Sequence, residues 1–225
     1  MVAHTNISKL LRKPHVHDWM SVACEDMWPA AIKVCSMASS KLNDRLGFAF
    51  VLVNNTTKSI YELMAANPER AQCFGGAMTA YASSPPFDIS HLINFYDWAI
   101  LQDQAQIIDV GGGPGALAKQ LAQQYSSLRV LVQDDSSVLN SAESTVSKNV
   151  KPRVEFMAHD MFLPQNFPAD IYILRWVLHN WADKYAIKIL KALVPMLKSG
   201  TRVLINEICM PDSGEIPLSK EKNLR

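Results

Sequence analysis

The most chemically loaded stretch of the sequence is Ile107-Ile108-Asp109-Val110-Gly111-Gly112-Gly113-Pro114-Gly115-Ala116, in which an apolar run and an acid turn through four glycines into a helical pattern. Glycine is demanded where the backbone must turn tightly or approach a ligand closely, because a Cβ would block both. A loop that cradles the pyrophosphate of a dinucleotide spaces its glycines as GxGxxG. Here Gly111, Gly113 and Gly115 are spaced as GxGxG behind Asp109. The loop therefore predicts a ligand site of another kind.

Three further groups follow in order. In Leu131-Val132-Gln133-Asp134-Asp135 a carboxylate about 20 residues beyond the glycine loop is placed to accept both ribose hydroxyls of a nucleoside. Asp134 is the first choice and Asp135 the near alternative. In Ala158-His159-Asp160-Met161-Phe162, Asp160 has the chemistry to accept from an adenine amino group and Met161 to cover a ring face. Ile171-Tyr172-Ile173-Leu174-Arg175-Trp176-Val177-Leu178-His179-Asn180-Trp181-Ala182-Asp183 runs off an apolar segment into a polar-aromatic one. A histidine there is suited to deprotonating a phenol, since its ordinary pKa lies near working pH.

These groups need elements that bring them to one place. From Gln106 onward, short apolar runs alternate with helical patterns. Strands are predicted at Ile107 to Val110, Arg129 to Val132, Val154 to Met157, Ile171 to Leu174 and Val203 to Ile208. Helices are predicted at Ala116 to Tyr125, Ser137 to Asn149 and Lys184 to Leu197, the last with Ile187, Leu190, Val194 and Leu197 on its inner face. Such alternation implies a doubly wound parallel sheet that binds ligands at the carboxyl ends of its strands, which is where the motifs fall. Up to Leu101 the sequence reads mainly as helices: Trp19 to Met37, a helix from Asn67-Pro68-Glu69 through Tyr81, and Ile89 to Ile100 capped by Asp88 or Ser90. Connections are expected at Asn43 to Gly47 and Asn54 to Lys58, and an extended break at Pro85-Pro86.

Composition narrows the function classes. With 22 basic against 21 acidic residues the net charge is +1, and no like-charge run marks a nucleic-acid surface. Cys24, Cys35, Cys73 and Cys209 form no CxxC pair, so buried, reduced thiols are expected rather than a zinc site or a disulfide framework. No apolar leader and no run of about 18 apolar residues is present, which predicts a soluble, cytoplasmic protein without a membrane partner.

Taken together, IIDVGGGPG, VQDD, HDMF, LRWVLHNWAD and VLINEICMPD resemble the O-methyltransferases of plant and fungal secondary metabolism, the caffeic acid and flavonoid type. Their order and spacing agree along most of the chain, and Arg175 with His179-Asn180 is closer to the fungal members. The resemblance implies a class I, Rossmann-like, mostly parallel α/β sheet and S-adenosyl-L-methionine as cofactor. It also implies direct methyl transfer to a hydroxyl of a phenolic or enolic, polyketide-like small molecule, with no metal. By the same match His179 is the general base and Glu207 the acid that orients it. Asp109, Gly111, Gly113, Gly115, Asp134, Asp160, Met161, Arg175 and Trp181 would contact the cofactor. Asn180 stands where many relatives carry aspartate.

Family members begin with a winged-helix dimerisation region, whose end Thr5 to Leu11 resembles, and continue past the MPDSGE turn with a helix and a strand pair. This sequence ends at Lys220 to Arg225. The sheet is thus expected to be incomplete at its C-terminal edge, with Val203 to Ile208 open to a second copy or a partner chain. Two domains are expected: a helical region 1–101, where Phe74, Met78 and Tyr81 are candidates to line the acceptor pocket, and a cofactor-binding region 102–225. The rival readings are a cofactor-binding relative without transfer activity that acts in binding or assembly, and one that uses the cofactor's charge in a non-methylation reaction. A nicotinamide-dependent dehydrogenase is disfavoured by the glycine spacing.

Overall fold

A proline at the first helical position and a short polar side chain just before it set where helices begin, and both devices operate in the amino-terminal part of the chain. In this computed structural model, which describes residues 3–37, 48–58, 60–82, 84, 87–139, 142–209, 211, 212 and 214–217, the chain divides into two compact units, Met1–Phe95 and Tyr96–Arg225. The connection expected at Asn43 to Gly47, the double proline and the Lys220 to Arg225 end lie outside the described residues.

The first unit is helical: α1 (Asn6–Leu10), α2 (Pro14–Ser21), a π-helical stretch Val22–Met27, α3 (Trp28–Met37), α4 (Phe48–Val53), α5 (Ile60–Ala66), α6 (Pro68–Ala82) and α7 (Ser90–Phe95). Asn67 caps α6 by accepting the Arg70 N–H at 3.1 Å. The same Arg70 side chain pairs with Glu25 at 2.7 Å and with the buried Asp26 of the π-helical stretch. Asp88 accepts the Ser90 N–H at 2.8 Å, but the helix expected through Ile100 stops at Phe95. Asp97 then accepts the Ala99 N–H at 3.2 Å and starts a separate 3-10 turn, Trp98–Ile100, which sinks Trp98 to 1% exposure in the second unit. That aspartate offers the backbone a local partner in place of the helix.

The second unit is built on β1 (Gln106–Val110), β2 (Arg129–Asp134), β3 (Val154–Ala158), β4 (Ile171–Arg175) and β5 (Arg202–Asn206). They form one parallel sheet in the order β3-β2-β1-β4-β5. The chain winds outward from β1 to β3, returns to the centre and winds the other way, so the switch point lies between β1 and β4. Strands covered on both faces read as unbroken apolar runs, and β4 is buried from Ile171 through Leu174. One face packs Ile108, Val110, Tyr172 and Leu174 against Ile189 and Leu193 of α10 (Asp183–Leu193). Between β1 and β2 runs α8 (Ala116–Gln124), whose Leu117 and Leu121 are buried, and α9 (Ser136–Leu139) follows β2.

Three expectations are corrected here. The helix expected over Ser137 to Asn149 is only α9, which Asp135 caps by accepting the Ser137 N–H and hydroxyl, followed by a 3-10 turn, Glu143–Thr145, where the Thr145 hydroxyl gives the Ala142 carbonyl a local partner at 2.6 Å. The inner face of α10 is not the one expected. Ile187 and Val194 are 51% and 59% exposed and Leu197 is exposed too, whereas Ile189, Ala192 and Leu193 are buried. The helix is apolar on both sides, and the sheet selects the face. Cys24 and Cys209 are exposed and Cys73 is half-buried, so these three are not core residues. No helix among the described residues is long and apolar enough to cross a membrane.

Candidate active site

The glycine loop leaves β1 at the switch point, and its glycines are there for different reasons. Gly111, Gly113 and Gly115 have φ of +70°, +57° and +75°, the left-handed region that side chains disfavour. Gly112 does not, but a Cβ on it would lie 2.5 Å from Asp109 Oδ2 and 2.9 Å from Val132. A Cβ at Gly111 would meet Val177 at 3.0 Å, and one at Gly115 the ring of Phe156 at 3.0 Å. At Gly113 a Cβ would meet nothing within 4 Å. Gly113 is thus the loop position that faces open space.

The loop's N–H groups are already engaged. Those of Gly111 and Gly112 donate to the Gln133 carbonyl at 2.8 and 3.3 Å, that of Gly113 to Asp134 Oδ2 at 2.8 Å, and that of Gly115 to the Gly112 carbonyl at 3.1 Å. A phosphate cradle needs such donors aimed at the anion. Here they point inward and a carboxylate sits among them, an arrangement that suits an uncharged or cationic ligand. Asp134 also accepts the Asp135 N–H at 2.7 Å on its other oxygen. Burial raises the Asp134 pKa, against the pull of these two N–H groups. Asp135 instead holds Ser137.

Asp109 lies beneath the loop at 2% exposure. Burial pushes its pKa up to about 7, with the Arg175 charge lowering it and that of Asp134 adding to the rise. Arg175, at the end of β4, lays its guanidinium 3.7 Å from the centre of the Trp176 ring. Trp176 itself has φ +57°, a conformation that costs a side-chain-bearing residue about 1–2 kcal/mol.

The turn that follows carries the histidine. Glu207, just beyond β5, accepts the N–H groups of Val177 and Leu178 on Oε1 at 2.9 and 2.8 Å, and its Oε2 lies 2.6 Å from His179 Nδ1. A carboxylate accepts but does not donate, so Nδ1 carries the proton and Nε2 is left as the basic nitrogen. The imidazole is 51% exposed and the Glu207 side chain 18%. Asn180 turns back to donate to the Trp176 carbonyl at 3.1 Å.

Of the remaining candidates, Asp160 is exposed and accepts the Phe162 N–H at 2.9 Å, while Met161 reaches to 3.7 Å from the Cβ position of Gly111. Trp181 packs edge-on against Phe162, with ring centres 4.6 Å apart, and against Tyr185 at 6.1 Å. Met161 and Val177 thus meet at Gly111, and Asp134 closes on Gly113, drawing the β1, β2, β3 and β4 segments together. In the helical unit, Met78 is exposed and Tyr81 stacks on Phe87 at 4.5 Å.

Sequence reasoning missed one element of this site. The side-chain amides of Gln133 and Gln165 form a reciprocal buried pair at 3.1 and 2.7 Å, and the Gln165 N–H donates to the Ala192 carbonyl of α10. Gln133 is the residue whose carbonyl anchors the glycine loop. No local signal marks the pair, because its members are 32 residues apart.

The family described as the O-methyltransferase domain matches residues 44–224. The chain is 36% identical to the O-methyltransferase kk1A of Curvularia clavata, aligned over 100% of this chain and 53% of that protein. It is 31% identical to the chlorophenol O-methyltransferase of Trichoderma longibrachiatum, over 100% of this chain and 50% of that one. It therefore spans about half the length of the curated relatives it matches. Two solved structures, one described as a pericyclic reaction enzyme and one of LepI in complex with SAM, each superpose with a TM-score of 0.75 at 27% identity, covering 93% of this chain and 55% of theirs. With that family match over residues 44–224 and relatives 36% and 31% identical along the whole chain, the chain belongs to the O-methyltransferase family.

Proposed function

We propose that the chain carries the cofactor site and catalytic base of an S-adenosylmethionine-dependent enzyme that methylates a hydroxyl of a phenolic or enolic small molecule. The observation that carries this reading is the His179 Nδ1 to Glu207 Oε2 contact of 2.6 Å, which leaves Nε2 of a half-exposed ring available as a base on the turn whose Val177 meets the glycine loop. The residues present fit the cofactor. Gly113 leaves room at the loop, Asp134 offers two carboxylate oxygens with a free lone pair each, and Met161 and Trp181 bring polarisable and aromatic surface to the neighbouring segments. Asp160 and Arg175 complete the proposed shell, with Asp109 supporting the loop from below.

When bound, S-adenosylmethionine supplies an electrophilic methyl group on a sulfonium. The protein's part is acid-base chemistry and positioning. Nε2 of His179 takes the proton of the acceptor hydroxyl, and Glu207 steadies the imidazolium that results. The name of the Trichoderma relative, a chlorophenol O-methyltransferase, supports a phenolic acceptor. We assign acceptor recognition to the helical unit, with Phe74, Met78 and Tyr81 as its candidates. The outer edge of β5, where Ile205 is 52% exposed, is the proposed site for association with a second copy or a partner chain.

A second reading keeps the cofactor and drops the transfer. It is favoured by the likeness to a pericyclic reaction enzyme. Calorimetric titration with S-adenosylmethionine, followed by assay for the demethylated cofactor on a panel of phenols, separates the two. Binding with demethylated product supports methyl transfer, binding without it on any acceptor supports the second reading, and no binding overturns both.

A further inference from the structure

We propose that Trp176 is a positioning residue whose left-handed backbone, rather than its indole, assembles the His179 and Glu207 pair. The inference deepens the reading of His179 as a base and rests on it for its functional meaning. Trp176 has φ +57° and the next residue, Val177, has φ −104° and ψ −55°. A left-handed residue followed by a right-handed one turns successive N–H groups toward a common point, the concave arrangement that binds anions. That point is occupied by Oε1 of Glu207, held at 2.9 Å by Val177 and 2.8 Å by Leu178. The other carboxylate oxygen is thereby aimed at His179 Nδ1.

Both ends of the turn are tied. The Trp176 N–H donates to the Asn206 carbonyl of β5 at 3.1 Å, prolonging the β4 and β5 ladder by one bond, and the Trp176 carbonyl accepts from Asn180 Nδ2 at 3.1 Å. Residues in sparsely populated backbone regions persist only where their surroundings over-determine them, and they gather at working sites. In an extended conformation at position 176 the chain would run on along the strand. The two N–H groups would then diverge and Glu207 would lose the anchor that fixes its orientation. The device thus sets which imidazole nitrogen carries the proton.

The test reads that proton directly, without methyl transfer. Nitrogen-15 spectra of the histidine rings are recorded on the full chain over a series of rising pH, and the tautomer is read where the spectra no longer change with pH and show a neutral ring. The wild-type His179 is expected to show the Nδ1–H tautomer, the reverse of free histidine, and His179→Ala assigns the signal. Trp176→Gly, which adopts the left-handed turn freely, should keep that tautomer. Trp176→Val, whose branched side chain resists it, should lower the Nδ1–H population to less than about half. Should Trp176→Val fail to fold by circular dichroism, Trp176→Ala takes its place, with a smaller loss in the same direction. Retention of the wild-type tautomer in the folded Val or Ala variant overturns the proposal. So does an equal loss in Trp176→Gly, which would make the indole the active part. If instead the tautomer behaves as expected but His179→Ala leaves methyl transfer intact, the base assignment fails while the positioning device stands.

Discussion

The loop after β1 and the turn after β4 leave neighbouring strands at the same end of the sheet, yet they are held in opposite ways. In the loop, main-chain N–H groups are bonded inward, three left-handed glycines shape the path, and a fully buried acid lies underneath. In the turn, one carboxylate gathers two N–H groups and an imidazole that is half open to solvent. The difference teaches what each region is for. On the proposed function, the loop, whose N–H groups are bonded within its own fold, works through its shape, and the turn, which keeps an imidazole nitrogen exposed, works through protonation. Substitutions in the first should be read in binding and stability, and those in the second in rate.

The sharpest way to break the comparison is His179→Ala. It should lower turnover by roughly two to four orders of magnitude, the usual worth of a positioned base, with cofactor affinity nearly unchanged. Parallel loss of binding and turnover would show that the turn, like the loop, is a shape element.

The converse test is Gly113→Val. The position has φ +57° and faces open space, so a branched side chain both strains the backbone and fills the proposed ligand site. Affinity for S-adenosylmethionine in titration calorimetry should fall by about a hundredfold or more, or about 3 kcal/mol. Unchanged affinity would remove the loop from the binding site.

The buried acid sharpens the contrast through pH. The Asp109 pKa is raised by burial from 3.8 to about 7, so on raising pH the unfolded chain loses this proton first. The native state then binds more protons than the unfolded one, and this group's contribution makes stability fall from about pH 4 to about pH 7 and level off above. Asp109→Asn, which cannot ionise, should abolish that slope. Relative to acid conditions it should gain about 4 kcal/mol near pH 8, which is what raising a carboxyl pKa from 3.8 to about 7 is worth by linkage. Denaturant midpoints measured across this range decide it, and identical slopes in the two proteins would contradict the assignment.

The smallest effect concerns the amide pair under the loop. Gln133→Leu or Gln165→Leu alone leaves the other buried amide without its partner and should cost about 1–3 kcal/mol, while the double change should cost less than the sum of the two. Simple additivity in a double-mutant cycle would mean that the pair does not act as a unit.

Much of this site is legible in the residues, and the illegible parts have a common cause. The glycine spacing separates this loop from a pyrophosphate cradle, and the inward-bonded N–H groups supply the reason. His179 and Glu207 are identifiable from their motifs, and they meet at 2.6 Å. The inner face of α10 is misread because Ile187 and Val194 are as apolar as Ile189 and Leu193, and periodicity alone does not rank two apolar faces. The helix expected after Asp135 starts on that cap but stays short, because beyond α9 the Thr145 hydroxyl offers the Ala142 carbonyl a local partner.

What the sequence determines by itself is the set of strands and the loop that must be glycine, since these follow from steric and apolar constraints within a few neighbouring residues, while the residues proposed to carry the chemistry come from the resemblance of whole motifs to a family. What only the tertiary structure decides is which oxygen of Glu207 faces which donor, that Trp176 is left-handed, that Asp109 is buried enough to hold its proton toward neutrality, and that Gln133 finds Gln165. Each of these depends on strands distant in sequence being paired in register, and the low-polarity space that pairing creates sets both the geometry and the proton affinities.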